Sequence, residues 1–170
     1  MQMLHTLTLS HTPVGTLKLI SDEHYIIRLD FDKKDSLEIV NYLTKYGRAE
    51  WSDAPTDVLR AAETQLHEYF SGTRKAFDLP YRLYGTEFQQ RCWNTLARIP
   101  YGATWSYRQL AEAVGSPRAF RAVGQSNHRN PIAIILPCHR VIGADGGLCG
   151  FGGGLEIKQK LLELEQRGAE

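Results

Sequence analysis

Apolar and polar residues alternate along the first part of the chain. Leu7 and Leu9 fall on one face of residues 6–10, Leu17 and Leu19 on one face of residues 16–21, and Ile27, Leu29 and Phe31 repeat the pattern over residues 25–31. A period of two predicts strands. Thr12-Pro13-Val14-Gly15, between the first two runs, has the composition of a turn. The expectation is an antiparallel meander with one wet face. The period then lengthens. Ile39, Leu43 and Tyr46 predict a helix over residues 36–46 with Gly47 as its C-cap. Val58, Ala62, Leu66, Tyr69 and Phe70 predict another over residues 56–70, closed by Ser71-Gly72. Residues 51–55 read as a loop, and residues 77–83 as a returning strand.

The pattern changes character near Tyr84-Gly85. Thr86, followed three residues later by Gln89, forms a capping box, and Phe88, Cys92 and Leu96 then recur at helical spacing until Pro100. Cys92 therefore belongs to a core stripe. Ser106 and Gln109 form a second capping box, opening a helix to Val114. Gly115-Ser116-Pro117 supplies a C-cap, an N-cap and an N1 proline for a further helix through residues 118–124. Two short helices joined by so tight a turn read as helix-turn-helix. The run Ile132-Ala133-Ile134-Ile135-Leu136 carries no charge and predicts a strand buried on both faces. Residues 141–144 read as a strand, Asp145-Gly146 as a turn, and residues 155–165 as a last helix with Ile157, Leu161 and Leu164 on one face. A carboxylate at the end of that helix, Glu165, is disfavoured by the helix dipole, so a nearby cation is expected.

Composition changes this picture little until the charge is divided. The 170 residues carry a net +1, but residues 84–143 hold 7 Arg, no Lys and 2 Glu, while the segments on either side are each at −2. An all-arginine excess of this kind points to an anionic partner, nucleic acid first. On the second helix of the pair, Arg118 and Arg121 project beside small Ala122, Gly124 and Ser126. Small residues admit either a neighbouring helix or a nucleic-acid groove, and the interleaved arginines favour the groove. The three cysteines include no CxxC pair, so neither a disulfide framework nor a zinc site of the usual spacing is expected. The first ten residues do not resemble a signal peptide and no apolar run reaches membrane-spanning length. The expectation is a cytoplasmic protein with reduced thiols.

Candidate chemistry lies at Pro137-Cys138-His139-Arg140-Val141. A proline ends the apolar run and a thiol follows, with an imidazole and a guanidinium beside it. Basic neighbours lower a thiol pKa, and the thiolate is the nucleophile. Taken alone, Cys138 reads as a core cysteine; the proline and two basic groups favour chemistry. Cys149-Gly150-Phe151-Gly152-Gly153-Gly154 marks a backbone that bends sharply or lies close to a ligand. It lacks the Lys-Ser/Thr of a P-loop.

Asn130-Pro131, Pro-Cys-His-Arg-Val at residues 137–141, the glycine-rich stretch and Glu165 in a terminal helix together resemble the O6-alkylguanine-DNA alkyltransferases, over residues 84–165. The resemblance implies an α+β chain. Residues 1–83 would form a small antiparallel sheet with helices, ribonuclease H-like. Residues 84–170 would form a mostly helical, winged-helix-like domain with the helix-turn-helix. Cys138 would accept the alkyl group in one irreversible turnover. His139 would relay its proton through a water, Glu165 would orient and charge His139, and Asn130 would brace the turns around the cysteine. Tyr107 would rotate a 3′ phosphate and donate to the flipped base, and Arg121 would fill the gap in the duplex from the minor groove. Backbone groups of Cys138 and Val141 would read the guanine edge, and the Gly152 N–H would donate to O6. Phe151 and Gly153 would line the pocket, with Ser106, Arg118, Ala122 and Gly124 on the DNA side. Many relatives have tyrosine at the position of Phe151 and Ser or Ala at that of Gly152, which implies a pocket of different width. No cofactor is implied, and no metal: the zinc site of human members uses cysteines, and residues 1–83 contain none. The implied partner is double-stranded DNA carrying O6-alkylguanine, with O4-alkylthymine as a second lesion, met by a monomer with scope for cooperativity on DNA.

The residues support that chemistry apart from the resemblance. Displacing an alkyl group from an ether oxygen needs a soft nucleophile and donors for the leaving oxyanion. Adjacent Cys138 and His139 would point oppositely in a strand, so a bridging water is expected. Three rivals stand beside this reading: a cysteine hydrolase, a helix-turn-helix regulator that senses alkylation or redox through Cys138, and a non-catalytic lesion binder of the alkyltransferase-like group. The last replaces the cysteine that this chain keeps.

Overall fold

A computed structural model describes residues 2–31, 49–147, 151 and 154–169. The predicted helix over 36–46, its cap Gly47, and Cys149, Gly150, Gly152 and Gly153 lie outside the described residues. The chain divides into two compact units, Met1–Tyr84 and Gly85–Glu170.

In the first unit, β1 (Gln2–Thr12), β2 (Gly15–Ser21) and β3 (Ile26–Phe31) form the antiparallel meander. The register explains the alternation. Leu7 lies opposite Leu19 and Leu19 opposite Leu29, while Leu9, Leu17 and Phe31 form the next row. The turn between β1 and β2 closes through Thr12, whose hydroxyl donates to the Gly15 carbonyl, with Gly15 at φ +89°. Three expectations are corrected. First, β3 has no wet face: all six residues are buried, and Arg28 and Asp30, two apart on one side, satisfy each other in a bidentate pair at 2.8 and 2.7 Å. Second, the loop expected over residues 51–55 begins only after Ser52: Trp51 and Ser52 belong to β4 (Ala49–Ser52), which pairs in parallel with β1 and gives the order β3-β2-β1-β4. Third, residues 77–83 form no strand. Tyr81 makes one bridge to Ile26, while the Gln65 side chain holds the Asp78 backbone through two 2.9 Å hydrogen bonds. Helix α1 (Asp57–Phe70) starts at an N-cap, Thr56, and buries Leu59, Ala62, Leu66 and Tyr69 as it packs on β1 and β2.

The second unit is mostly helical. Both capping boxes form, and they start α2 (Glu87–Leu96) and α3 (Tyr107–Val114). Cys92 lies in the core with Trp93 and Leu96. Gly115, at φ +89°, ends α3 in the left-handed conformation. The next helix does not begin at Pro117. The Ala119 N–H donates to the Ser116 carbonyl, closing a separate turn, and α4 runs over Phe120–His128 with no side-chain N-cap. The Trp93 indole donates to the Ser126 carbonyl at 2.7 Å and ties α2 to α4. A two-residue parallel ladder joins β5 (Trp105–Ser106) to β6 (Val141–Ile142), so the strand expected over 141–144 is shorter. Helix α5 spans Leu155–Ala169, one turn beyond the expected end at Glu165. Among the described residues, no helix is long and apolar enough to cross a membrane and no three His, Cys, Asp or Glu side chains could hold a metal ion.

The α3–α4 turn offers a direct check. A Cβ at Gly115 would meet nothing within 4 Å, so Gly115→Ala is penalised by backbone conformation alone. The variant should lose about 1–2 kcal/mol of stability in urea unfolding. An unchanged midpoint would show that the turn does not need the left-handed residue.

Candidate active site

The five apolar residues before the cysteine are buried as predicted, but they are a compact turn and not a strand. The Leu136 N–H donates to the Ile132 carbonyl at 3.0 Å and the Ile135 N–H to the Ala133 carbonyl at 2.8 Å. Ile134 takes φ +69°, an outlier for a β-branched residue. A buried turn must satisfy its backbone without a ladder. Asn130 does so from within: its Nδ2 donates to the Leu136 carbonyl at 2.7 Å and its Oδ1 accepts from the Ile132 N–H at 3.0 Å. The Leu136 carbonyl also takes the Cys138 N–H at 2.8 Å. One oxygen thus joins the asparagine to the backbone of the cysteine.

Cys138, His139 and Arg140 form a single 3-10 turn, closed by the Val141 N–H on the Cys138 carbonyl. The argument from opposite sides of a strand therefore does not apply. Cys138 is 5% exposed and His139 fully buried. Glu165 faces this turn from α5. Its Oε2 lies 2.6 Å from Nε2 of His139, and its two oxygens accept from Arg140 Nε at 2.7 Å and Nη2 at 3.1 Å. The Gly102 N–H adds a longer contact to Oε1 at 3.4 Å. Arg140 completes its fork on the Ile99 carbonyl at 2.6 Å and lies over the Tyr101 ring. The cation expected near Glu165 is therefore Arg140. The dipole argument for it fails, because Glu165 sits within α5 and not at its end.

Electrostatics assign the protons. Burial opposes the charge on Glu165, but His139 and then Arg140 outweigh it and hold the carboxyl at about 2. The pKa of His139 is lowered: burial is the largest cause, Glu165 opposes it, and Arg140 and Lys158 add to the lowering. At neutral pH the pair is thus an ionised carboxylate and a neutral imidazole. Arg140 is a second partner of the Glu165 carboxylate beside His139. An ionised carboxylate can only accept, so Nε2 carries the ring proton and Nδ1 the lone pair. Nδ1 is buried with no protein hydrogen-bond partner among the described residues, as is Oδ1 of Asn127 on α4. The second buried thiol, Cys92, is pushed up by burial.

The remaining expected residues divide between the surface and the interior. Arg118, Arg121 and Ala122 are exposed, as is Phe120 at the start of α4. Gly124 and Ser126 do not reach outward with them. A Cβ at Gly124 would lie 3.5 Å from the Tyr107 ring, and Ser126 is buried under Trp93. Two of the three small residues thus serve packing inside the unit. Ser106 is the N-cap of α3, with its hydroxyl taken by the Gln109 N–H, and Tyr107 follows it. The β5–β6 ladder sets Ser106 opposite Ile142, directly after the cysteine turn. Phe151 is half-buried, and its carbonyl accepts from the Gly154 N–H. Gly152 and Gly153 lie outside the described residues. Sequence reading missed Lys158, which is fully buried with Nζ on the Val141 carbonyl at 2.6 Å. The signal was present: Lys158 stands seven residues before Glu165, on the stripe of Ile157 and Leu161.

Comparison with known proteins follows the same division of the chain. Residues 3–83 match the family model described as 6-O-methylguanine DNA methyltransferase, ribonuclease-like domain, and residues 87–167 the one described as its DNA binding domain. The chain is 46% identical over 156 residues to the methylated-DNA–protein-cysteine methyltransferase of Methanosarcina barkeri, covering 91% of this chain and 93% of that one. It is 45% identical over 160 residues to the constitutive one of Bacillus subtilis, covering 94% of each. The crystal structure of Mycobacterium tuberculosis OGT in complex with DNA superimposes with a TM-score of 0.82 at 40% identity, covering 98% of this chain and 94% of that one.

The proton assignment predicts a pH dependence. A histidine lowered by burial is neutral in the fold and protonated in the unfolded chain below 6.5, so stability falls as pH drops past that value. A carboxyl lowered from 4.5 to about 2 contributes stability that is present above 4.5 and lost as pH falls through about 2. Urea midpoints should therefore decline below pH 6.5 and more steeply below 4.5. Glu165→Gln should be weaker at neutral pH by about 3–5 kcal/mol, since it strands a buried Arg140. It should also lose the steeper segment; a wild-type slope in that variant would refute the assignment.

Proposed function

Because the chain belongs to the 6-O-methylguanine DNA methyltransferase family, we propose that it repairs DNA by direct reversal, moving an alkyl group from O6 of guanine onto Cys138. One observation carries this reading: a buried thiol shares a turn with an imidazole that a carboxylate holds by Nε2, while Nδ1 has no protein partner among the described residues and is left to take a proton. This is the logic of an oriented base beside a nucleophile. The thiol proton passes to Nδ1 of His139, through a water, and Glu165 stabilises the imidazolium that forms. The sulfur attacks the alkyl carbon; the S–C bond forms and the C–O6 bond breaks. The electron pair stays with the base, which takes a proton at N1 and returns to guanine. The sum exchanges a thiol hydrogen for an alkyl group, and the balance closes without a further reactant. A thioether offers no hydrolytic route back, so each chain acts once.

DNA handling follows from the same unit. The reacting carbon cannot be reached inside a duplex, so the nucleotide leaves the stack. Arg121 and Arg118, exposed on and before α4, meet the minor groove with Ala122, and Arg121 fills the gap. Tyr107, at the start of α3, turns the 3′ phosphate and donates to the flipped base. Backbone groups of Cys138 and Val141 read the guanine edge, and Phe151 lines the pocket. Asn130 keeps the cysteine turn in shape. O4-alkylthymine presents the same alkyl ether and is a second substrate, and the acting species is a monomer.

Intact mass after incubation with an O6-methylguanine duplex tests the reaction. One methyl group per chain is expected, mapped by peptide mass to Cys138 and absent in Cys138→Ala. Methyl on Cys92 or Cys149 with Cys138 unmodified would sink the assignment.

Arg121→Ala separates base extrusion from chemistry. Flipping costs a few kcal/mol, and a filler offsets part of it. Repair in duplex should fall far more than reaction with free O6-benzylguanine. Equal loss on both would place Arg121 in folding or in the chemical step.

A further inference from the structure

Phe120, at the start of α4, is 50% exposed, the highest fraction for any large apolar side chain among the described residues. A single exposed apolar residue is ordinary on a protein surface. The surroundings of this one are not. Arg121 follows it, Arg118 stands two residues before it, and both are exposed. Arg91, also exposed, reaches the turn that precedes α4, with Nη2 3.3 Å from the Ser116 hydroxyl. Between residues 113 and 144 the chain has no carboxylate side chain, while residues 118, 121, 129 and 140 are arginine. The ring therefore lies bare among cations, with no acid on its own segment to balance them. A protein that buried the ring would have to desolvate those arginines as well. A nucleic acid offers an apolar base face and phosphates side by side. The helix sets the direction of the ring. Phe120 and Gly124 are four residues apart and share a face of α4, and a Cβ at Gly124 would lie 3.5 Å from the Tyr107 ring. Phe120 is thus on the Tyr107 side of α4, whereas Arg121 is turned about 100° away from it.

We propose that Phe120 is an apolar wedge for double-stranded DNA, which stacks on the base 3′ to the lesion in the strand that carries it. The inference rests on the reading in which α4 enters the minor groove and Tyr107 turns the 3′ phosphate. Extruding a nucleotide leaves each of its neighbours with one face unstacked. Arg121 enters the gap, and the ring beside it, on the side of Tyr107, meets the 3′ neighbour. Minor-groove proteins use apolar side chains in this way, inserted at a base step to offset the cost of opening it. Stacking does not read sequence, since every base has a π-face. That suits a protein that meets its lesion in any context. Ala122, exposed on the far flank of Arg121, lets the helix come close enough for the ring to reach.

The test is Phe120→Ala in a Cys138→Ala background, so that binding to an O6-methylguanine duplex reaches equilibrium without transfer. Affinity should fall about tenfold, the loss expected for one stacked base. In a duplex whose 3′ neighbour is an abasic site, the same substitution should cost less than about twofold, because the partner of the ring is gone. The slope of log Kd against log salt should not change, since no phosphate contact is removed. With Cys138 restored, the rate of benzylation by free O6-benzylguanine should equal that of wild type. Phe120→Trp keeps a π-face. Its added emission should be quenched by the intact duplex and not by the abasic one, and it carries the test alone if the alanine variant does not fold. Unchanged affinity, or an equal loss on both duplexes, would overturn the proposal. A shallower salt slope would trace the loss to a displaced arginine and overturn it too. Unchanged affinity in a variant that no longer self-associates when free would assign the ring to a second copy of the chain instead. A wild type that takes no benzyl group from the free base and binds no duplex would overturn the functional reading as well, and is recognisable because it needs no variant.

Discussion

Glu165 is a carboxylate in the interior of the second unit, and the arrangement around the cysteine depends on keeping it ionised. Removing such a charge from water costs several kcal/mol, which only close, well-directed partners offset. Arg140 supplies a two-pronged contact and His139 a third hydrogen bond. Both partners lie on the 3-10 turn that begins with Cys138. The charge therefore ties α5 to the turn, fixes the ring of His139 in one orientation, and selects which ring nitrogen carries the proton. An arginine suits this task because it stays protonated at any working pH and matches the two carboxylate oxygens with a planar fork.

A second constraint is the buried backbone of residues 132–136. Their composition is that of an interior strand, and short apolar runs cannot be told apart by pattern alone. What decides the matter is the residue just before Pro131. Asn130 offers a donor and an acceptor on one planar group, and it satisfies the first and last residues of the run where a ladder would otherwise have done so. Ile134 then occupies the left-handed region at φ +69°. Strain of this size persists only where the surroundings over-determine it, and here the surroundings are a fully packed core. The cysteine is consequently delivered by a rigid turn and not by the fraying end of a strand.

The parts legible in the sequence are those fixed locally. Thr86 with Gln89 and Ser106 with Gln109 satisfy their helix starts within four residues, and both capping boxes form. The leucine alternation of β1 and β2 carries the register directly, since Leu7 and Leu9 meet Leu19 and Leu17. Features set by distant partners were not legible. Ala49–Ser52 is a strand only because β1 offers an edge. Arg28 and Asp30 look like solvent-facing residues until each is seen to satisfy the other inside the fold. The start of α4 moved from Pro117 to Phe120 because the Ser116 carbonyl closes a turn first. Of the residues around the cysteine, Lys158 escaped notice for a statistical reason: a lysine on a helix is usually at the surface.

The neutral state of His139 alters how the thiol can be activated. A standing thiolate–imidazolium pair would place two full charges in a nearly water-free site, each in need of solvation the fold does not provide. With a neutral ring, His139 carries no charge at rest, and its charge appears only as it takes the proton. The imidazolium then forms against a carboxylate already in place, 2.6 Å from Nε2, so no group has to reorganise. Arg140 limits how strongly that carboxylate draws a proton onto the ring beforehand. The pair of oppositely acting neighbours, Glu165 on one side and Arg140 with Lys158 on the other, thus keeps the base unprotonated at rest and still able to accept a proton when the sulfur attacks.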